Sequence, residues 1–327
     1  MAPNSIHDPS RDYTLHPTFA QLSAAQPVFS AKPTITAIAA GAHYTAALYS
    51  DGLVRVCGVS RDISWFEPNW EGICAIFPGE DCLYAKNRDG ILSQLSFFKL
   101  DKNIPLYSVY CYKRIKLNYF SEAIEIHERS RFFPCFSEHP RLRFIEKGRF
   151  GLLEDGTVFT RFPDENRLVS HWSGITAVAA GAHHYFALTG AGELLCAGDR
   201  RYKVMQEAHG WRNITAIAAG AEHLIGLREN GTVIAAGRSN ERQCSTDGWY
   251  DIAAIAARGN HTIGLRKNGS VVAVGDNTHG QCNVGAWSNI VSVATSACHT
   301  VGLRADGTLV AVGDNSHGQC NVHHLMR

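Results

Sequence analysis

Residues 252–275 read IAAIAARGNHTIGLRKNGSVVAVG, and closely similar stretches begin at Ile175, Ile214 and Ile290. These four starting points are 39, 38 and 38 residues apart. A nearly constant period of this size is typical of solenoids, propellers and other repeat arrays, in which one supersecondary unit stacks on the next. The sequence therefore predicts an array of one repeated unit.

The repeat extends beyond these four copies. Two more begin at Ile35 and Ile73, and a seventh, with a shortened first half, surrounds Asp155 and Gly156. The stretch 93–150 lacks the Gly-Ala signature, and its part 115–133 reads either as an eroded eighth copy or as an insertion in the third unit. A tryptophan stands three residues before the leading isoleucine in five copies: Trp70, Trp172, Trp211, Trp249 and Trp287.

Each unit is predicted to contain three short strands. Two apolar runs are followed by a turn dipeptide and by a third run rich in Val, Ile and Ala, and Asp-Gly or Asn-Gly between apolar runs is the strongest short-range signal for a hairpin with a type I′ turn. Glycines within the runs disfavour helical repeats. Blades of three or four strands around an axis fit best. The turns are Asp51-Gly52, Asp89-Gly90, Asp155-Gly156, Ala191-Gly192, Asn230-Gly231, Asn268-Gly269 and Asp306-Gly307.

Two stretches carry a resemblance to a known family: HTIGLRKNGSVVAVGDNTHGQCNV from His261 and HTVGLRADGTLVAVGDNSHGQCNV from His299. Over roughly residues 35–322 the chain resembles the regulator of chromosome condensation repeat family in its bacterial form. The resemblance implies an all-β fold, a closed β-propeller of seven blades, or eight if the divergent stretch holds another. It also implies one domain, 35–327, with residues 1–34 and the C-terminal QCNVHHLMR helping to close the ring.

Charge and cysteine usage limit the partners. Lys and Arg number 31 against 30 Asp and Glu, and they are scattered rather than gathered into the positive stripe that nucleic-acid binding requires. No apolar run is long enough to cross a membrane, and the N-terminus lacks the pattern of a signal peptide. The ten cysteines include no Cys-x-x-Cys pair. We therefore expect reduced thiols in a cytoplasmic protein, without a nucleic-acid or membrane partner.

One histidine recurs at the same position of four copies: His184, His223, His261 and His299. A ring of imidazoles around an axis could hold a metal or relay protons. The favoured interpretation is structural, because a residue that every blade carries is one that every blade needs, for instance to satisfy a buried polar group. The tryptophan column is interpreted likewise as packing at the blade edge, with a stacking platform as the alternative.

No catalytic motif is present, so we expect neither an enzyme nor a cofactor or metal site. A propeller face suits protein binding, and the resemblance implies protein partners, since some members exchange nucleotide on a small GTPase and similar bacterial propellers inhibit a β-lactamase. The prediction is a non-catalytic scaffold or inhibitor. The alternatives are a guanine nucleotide exchange factor and a ligand-binding or enzymatic site within 93–150. Exposed aromatic and arginine residues that break the repeat are the predicted partner contacts: Trp65, Phe66, Tyr107, Tyr110, Tyr112, Arg201, Tyr202, Arg242 and Tyr250.

Overall fold

The computed structural model describes residues 33–58, 65–79 except 66 and 69, 82–99 except 91 and 97, 107–108, 142–146, 150–160 and 163–326. Within these ranges the strands form seven three-stranded antiparallel sheets and one two-stranded pair. The sheets are numbered first to seventh in chain order. The seven-unit prediction is confirmed, including the shortened copy around Asp155, which forms the third sheet. Residues 115–133 lie outside the described part of the chain.

The strands of the first three sheets are short. They are β1 (Ile35–Ala40), β2 (Tyr44–Tyr49) and β3 (Val54–Gly58); β4 (Ile73–Pro78), β5 (Cys82–Asn87) and β6 (Leu92–Ser96); and β9 (Leu142–Glu146), β10 (Phe150–Leu153) and β11 (Val158–Thr160). Between the second and third sheets, β7 (Phe98–Lys99) pairs with β8 (Tyr107–Ser108).

The last four sheets follow the same plan. They contain β12 (Ile175–Ala180), β13 (His184–Thr189) and β14 (Leu194–Gly198); β15 (Ile214–Ala219), β16 (His223–Arg228) and β17 (Val233–Gly237); β18 (Ile252–Arg258), β19 (His261–Arg266) and β20 (Val271–Gly275); and β21 (Ile290–Thr295), β22 (His299–Arg304) and β23 (Leu309–Gly313). Helical segments are α1 (Pro163–Val169), α2 (Lys203–Glu207) and a C-terminal 3-10 helix (Val322–Leu325). No helix in the described ranges is long and apolar enough to cross a membrane.

Each sheet is a meander with its second strand in the middle. In the sixth sheet, for example, His261 pairs with Gly275 and Ile252 pairs with Arg266. First and third strands therefore end together, at what we call the loop face, where the first strand connects to the second and the chain leaves the third. The hairpin turns between second and third strands lie at the opposite end, the turn face.

The hairpins were predicted correctly, but their turn type was not. In the sixth sheet Gly269 has φ +79°, whereas Asn268 does not have a positive φ. Gly269 N donates to Arg266 O at 2.9 Å, and Arg266 N donates to Ser270 O at 2.9 Å. This is the three-residue loop in which a type I turn is followed by a left-handed glycine bulge, not a two-residue type I′ turn. Asn268 favours it because its Oδ1 accepts a hydrogen bond from Ser270 N.

The core lies between sheets rather than inside any one of them. The tryptophan column belongs to these interfaces, and its members are buried. A Cβ added to Gly264, in the middle of β19, would lie 2.7 Å from Cζ3 of Trp249, and the same relation holds between Gly226 and Trp211. The indole thus occupies the space that a side chain on the middle strand would need. The predicted packing role of these tryptophans is confirmed, and it explains the glycine in the second strands of the fifth, sixth and seventh sheets.

The seventh sheet packs against the first. Their shared core contains Ile38, Ala47, Val301 and Leu303 together with Leu325 of the 3-10 helix. The hydroxyl of Tyr49 in β2 also donates a hydrogen bond to the carbonyl oxygen of Leu325. The C-terminal 3-10 helix therefore lies against both the last sheet and the first. The role predicted for residues 1–34 stays a prediction, because residues 1–32 lie outside the described ranges.

Candidate functional site

The loop face of the last sheets is built from a repeated loop. After β20, Asp276 Oδ1 accepts from Thr278 N at 2.9 Å, and Asn277 Oδ1 accepts from Cys282 N at 2.8 Å. Gln281 Oε1 accepts from His279 N at 2.9 Å. The corresponding loop after β23 repeats these contacts with its own Asp, Asn and Gln. Short polar side chains thus satisfy the backbone of each loop locally, which makes the loop rigid.

Beneath these loops, the histidine column joins one sheet to the next. His223 Nε2 lies 2.9 Å from Thr262 Oγ1 of the sixth sheet, and His261 Nε2 lies 3.2 Å from Thr300 Oγ1 of the seventh. Each threonine hydroxyl also donates to a glutamine carbonyl of the preceding loop, for instance Thr262 to Gln243 O at 2.8 Å. The hydroxyl proton is therefore engaged, and the oxygen accepts from the imidazole. The structural interpretation is confirmed for His223, His261 and His299, each of which has a threonine of the next sheet as its partner.

These imidazoles are held in the neutral form. Burial lowers the pKa of His261 to about 4 and that of His299 to about 3. Both residues are completely buried, so a proton would place a charge in a medium that solvates it poorly. Among the described residues there is no group of three or more His, Cys, Asp or Glu side chains that could hold a metal ion.

The cysteine column lies in the repeated loops. The thiols of Cys244, Cys282 and Cys320 donate to the carbonyl oxygens of Arg238, Asp276 and Asp314, at 3.3, 3.2 and 3.2 Å. Burial raises their thiol pKa values to about 11, 11 and 12. These thiols are protonated at neutral pH and act as hydrogen-bond donors within the loop.

The loop after the fourth sheet departs from this pattern. Asp199 still begins it, but its carboxylate accepts from Arg201 N at 2.9 Å, from Nε at 3.0 Å and from Nη2 at 2.6 Å. Hydrogen bonding to Arg201 lowers the pKa of Asp199 to about 2. The side chain of Arg201 nevertheless remains 89% exposed. The guanidinium is thus oriented by Asp199 and presented to solvent.

Tyr202 follows directly and packs against two histidines. Its ring stacks on exposed His183 with centroids 5.3 Å apart and meets buried His184 edge-on at 4.6 Å. The helix α2 then anchors the loop, because Val204 and Met205 are buried in the core between the fourth and fifth sheets. The predicted contacts Arg201 and Tyr202 therefore stand side by side on a well-held part of the loop face.

His184 lacks the contact that its equivalents make. The residue that would receive it in the next sheet is Leu224, where Thr262 and Thr300 stand in later copies. Both ring nitrogens of His184 are buried without a hydrogen-bond partner in the described structure, and burial lowers its pKa to about 4. The junction between the fourth and fifth sheets is thus held by α2 and apolar packing rather than by a histidine–threonine pair.

Arg242 is exposed in the next loop, after the fifth sheet, and its backbone is unusual. It has φ +65°, and the equivalent positions in the sixth and seventh loops are Gly280 at +82° and Gly318 at +85°. A left-handed conformation costs a non-glycine residue about 1–2 kcal/mol. Arg242 makes no ion pair within the described structure. The chain thus places a cationic side chain where two other copies have glycine.

The other predicted contacts lie elsewhere. Tyr250 is 59% exposed at the turn face, with the guanidinium carbon of Arg266 4.8 Å from its ring centroid. Trp65 is 38% exposed, and Arg55 of β3 lies 4.5 Å from its ring centroid. The sequence alone could not show that these residues and Arg201 and Tyr202 lie on different parts of the surface. The chain passes from one face to the other several times within every repeat.

Four predicted contacts cannot be placed in the site. Phe66, Tyr110 and Tyr112 lie outside the described residues. For Tyr107 the structure describes only its strand, in which it pairs with Lys99. Their assignment as partner contacts stays a prediction.

Arg258 is a further residue of this face that was not predicted from the sequence. It ends β18 at the loop face, is only 8% exposed, and its Nη1 donates to Ala40 O at 3.5 Å. The signal was present in the alignment of the copies, because the equivalent residues are small ones such as Gly220 and Ser296.

Comparison with known proteins agrees with this architecture. Residues 214–243, 252–281 and 290–319 each match the model of the regulator of chromosome condensation (RCC1) repeat. These ranges cover the fifth, sixth and seventh sheets up to the glutamine of each loop. No curated protein sequence matches the chain.

Solved structures share the fold at low sequence identity. The CRINKLY WD40 ectodomain of the Arabidopsis thaliana receptor kinase ACR4 matches with a TM-score of 0.57 and 15% identity, over 86% of this chain and 96% of that one. The ectodomain of the Physcomitrella patens receptor kinase CR4 gives 0.55 and 15%, over 84% and 72%. Yeast RCC1 (Prp20), solved with Kap60, gives 0.44 and 14%, over 88% and 72%. Residues 214–319 therefore contain three repeats of the RCC1 type, and the chain as a whole shares its fold with the two receptor-kinase ectodomains.

Proposed function

We propose that this protein is a non-catalytic scaffold or inhibitor that binds another protein through the loop face of its fourth and fifth sheets. The main observation behind this proposal is that the loop after the fourth sheet contains Arg201 and Tyr202. The corresponding loops of the later sheets instead contain short polar side chains that hydrogen-bond within the loop. Arginine and tyrosine are among the residue types that most often anchor protein interfaces, and here Arg201 is exposed while Tyr202 is half-buried. Arg242 extends the same surface onto the fifth sheet.

The charge of this surface supports an acidic partner. Arg200 and Arg242 are exposed and make no ion pair in the described ranges, while the exposed Arg201 is fixed by Asp199. Guanidinium groups that have no ion-pair partner can form bidentate hydrogen bonds with carboxylates. A partner patch that presents Asp or Glu side chains beside an apolar group for Tyr202 would complement it.

Rigidity supports binding as well. Glu207 Oε2 accepts from Gly237 N at 2.8 Å, which connects the end of α2 to the fifth sheet. The ring of Tyr202 is held against His183 and His184, so little side-chain freedom is lost when a partner docks. The loop therefore presents its groups preorganised.

The two faces of the molecule provide the test. A photo-crosslinking amino acid is placed at Tyr202 in one version of the protein and at Tyr250, on the turn face, in another. The proposal predicts a crosslinked partner from Tyr202 and none from Tyr250. Capture of that partner by the unlabelled protein should be lost with Arg201→Ala/Tyr202→Ala and kept with Tyr250→Ala/Arg266→Ala. Crosslinking from Tyr250 alone, or equal capture by both double variants, would contradict the proposal.

The alternative function for this face is guanine nucleotide exchange on a small GTPase. It is tested separately by measuring the release of labelled nucleotide from a panel of small GTPases. Acceleration that the Arg201→Ala/Tyr202→Ala variant abolishes would make the captured partner a GTPase. No acceleration with any of them leaves scaffolding or inhibition as the function of this face.

A further inference from the structure

One column of the repeat contains an arginine. Five of the seven copies have a small residue at the end of the first strand, the shortened third copy ends its first strand at Glu146, and the sixth sheet has Arg258 there. The small residues are Gly41, Gly79, Gly181, Gly220 and Ser296.

The glycines have a steric cause. A Cβ added to Gly220 would lie 2.0 Å from Cε1 of His223, and one added to Gly41 would lie 1.8 Å from Cε1 of Tyr44. In the sixth sheet the strand continues one residue further, and Arg258 pairs with His261. This local change of the backbone makes room for a side chain where most other copies allow none. The arginine is thus built into the sixth sheet by a specific adjustment.

The side chain extends away from its own sheet. Its Nη1 lies 3.5 Å from the carbonyl oxygen of Ala40, at the end of β1 in the first sheet. The seventh sheet stands between the sixth and the first in the order of packing. Arg258 therefore reaches across the end of the first strands, near the centre of the loop face, instead of contacting an immediate neighbour.

Few groups in the described structure balance the positive charge of the Arg258 guanidinium. Arg258 is 8% exposed, its Nη2 is buried without a hydrogen-bond partner, and it forms no ion pair within the described structure. Two buried side chains near it, Tyr44 and His299, supply no negative charge: burial raises the pKa of Tyr44 well above its usual value and keeps His299 neutral. Arginine stays protonated in proteins, and burying a charge without a counter-charge is strongly unfavourable.

We propose that Arg258 binds a small oxyanion, of the class of inorganic phosphate or sulfate, at the centre of the loop face. The two N–H groups of Nη2 are suited to the oxygens of a tetrahedral anion. With so little of the residue exposed, the site admits an inorganic ion and not a nucleotide or a peptide. This site is independent of the protein contact at Arg201 and Tyr202.

The test is calorimetric titration of the full chain with inorganic phosphate at constant ionic strength, with sodium chloride as the ionic control. Saturable binding is expected, with a melting temperature that rises with phosphate concentration. Arg258→Ser should weaken binding at least tenfold, and Ser296 shows that a first strand of this chain accepts serine there. Arg228→Ser, which removes an exposed arginine at the turn-face end of β16, should leave phosphate binding unchanged.

Several results would overturn the proposal. One is a wild-type titration without saturable heat, which needs no variant to fold. Another is equal phosphate binding by wild type and Arg258→Ser; if that variant does not fold, Arg258→Lys, which keeps the charge but loses the planar fork, serves in its place.

An internal counter-charge is the competing explanation. Glu80 and Asp81 follow Gly79 in the second copy and lie outside the described residues. If one of them neutralises Arg258, Glu80→Gln or Asp81→Asn would destabilise the wild type but not the Arg258→Ser protein, and phosphate would not bind. That pattern would also refute the oxyanion site.

Discussion

His299 Nε2 in the seventh sheet lies 3.0 Å from Thr45 Oγ1 in the first, although 254 residues separate them in the chain. Thr45 Oγ1 also donates to Gln319 O at 2.9 Å, and Ser296 Oγ lies 2.7 Å from His299 Nδ1. The same histidine–threonine relation that joins the fifth sheet to the sixth therefore joins the last sheet to the first.

Replacing Thr45 with valine tests whether this contact holds the ends of the array together. The change keeps the shape of the side chain, leaves the His299 Nε2–H buried without a partner, and leaves Gln319 O with only the Cys57 thiol, 3.8 Å away. We expect a loss of about 1–3 kcal/mol in the free energy of unfolding, measured by denaturant titration.

Thr262→Val makes the same change between the fifth and sixth sheets and should cost a similar amount. Thr232→Val, in a solvent-exposed turn, should have a much smaller effect. A Thr45→Val protein as stable as the wild type would show that the first and last sheets do not depend on this pair.

Stability should fall in mild acid. The folded-state pKa values of His261 and His299, about 4 and about 3, lie below the unfolded value near 6.5, so the unfolded chain binds protons first as the pH falls. Their contribution is fully present above pH 6.5 and is lost progressively between pH 6.5 and the folded-state values. Each should cost on the order of 2 kcal/mol between pH 7 and pH 5.

The measurement is the free energy of unfolding at a series of pH values. His261→Gln, which is uncharged throughout, should show a shallower decline with pH than the wild type, whatever its stability at pH 7. An identical slope in the two proteins would mean that this imidazole is not held neutral.

In the fifth, sixth and seventh sheets a tryptophan packs against the glycine of the second strand, and this contact gives a steric prediction. In Gly264→Ala the new methyl group would lie 2.7 Å from Cζ3 of Trp249, so the indole or the strand must move. Overpacking of this kind costs about 1–3 kcal/mol. Gly285→Ala is the matched control, because its Cβ would meet nothing within 4 Å. Thermal unfolding should separate the two variants, and equal melting temperatures would contradict the packing.

Substitution of Arg242 is expected to change the affinity for the partner much more than the stability of the fold. Arg242→Gly relieves the left-handed arginine but makes the unfolded chain more flexible, so we expect stability within about 1 kcal/mol of the wild type. Affinity for the partner captured by the loop face should fall severalfold, as measured by titration calorimetry. If affinity is unchanged while stability rises, the arginine has no part in the interface.

The repeat could be recognised from sequence because its signals are local. Hydrophobic runs, turn dipeptides and the 38-residue spacing depend on neighbours within one unit, so the strands and the seven sheets followed from them. The turn type was predicted wrongly, because Asp-Gly and Asn-Gly are also common in the three-residue loop. The local register of the two strands decides between the two turn types.

The sequence by itself determined the unit, its hairpin and the structural meaning of the histidine and tryptophan columns, since repetition alone implies a role that every unit shares. Only the tertiary structure decided which predicted contacts share a face, why His184 lacks a partner, and where Arg258 points. Those properties arise from contacts between sheets, such as Arg258 with Ala40, whose residues are 218 positions apart in the chain. No local pattern encodes such a contact, because it depends on how the whole array brings its ends together.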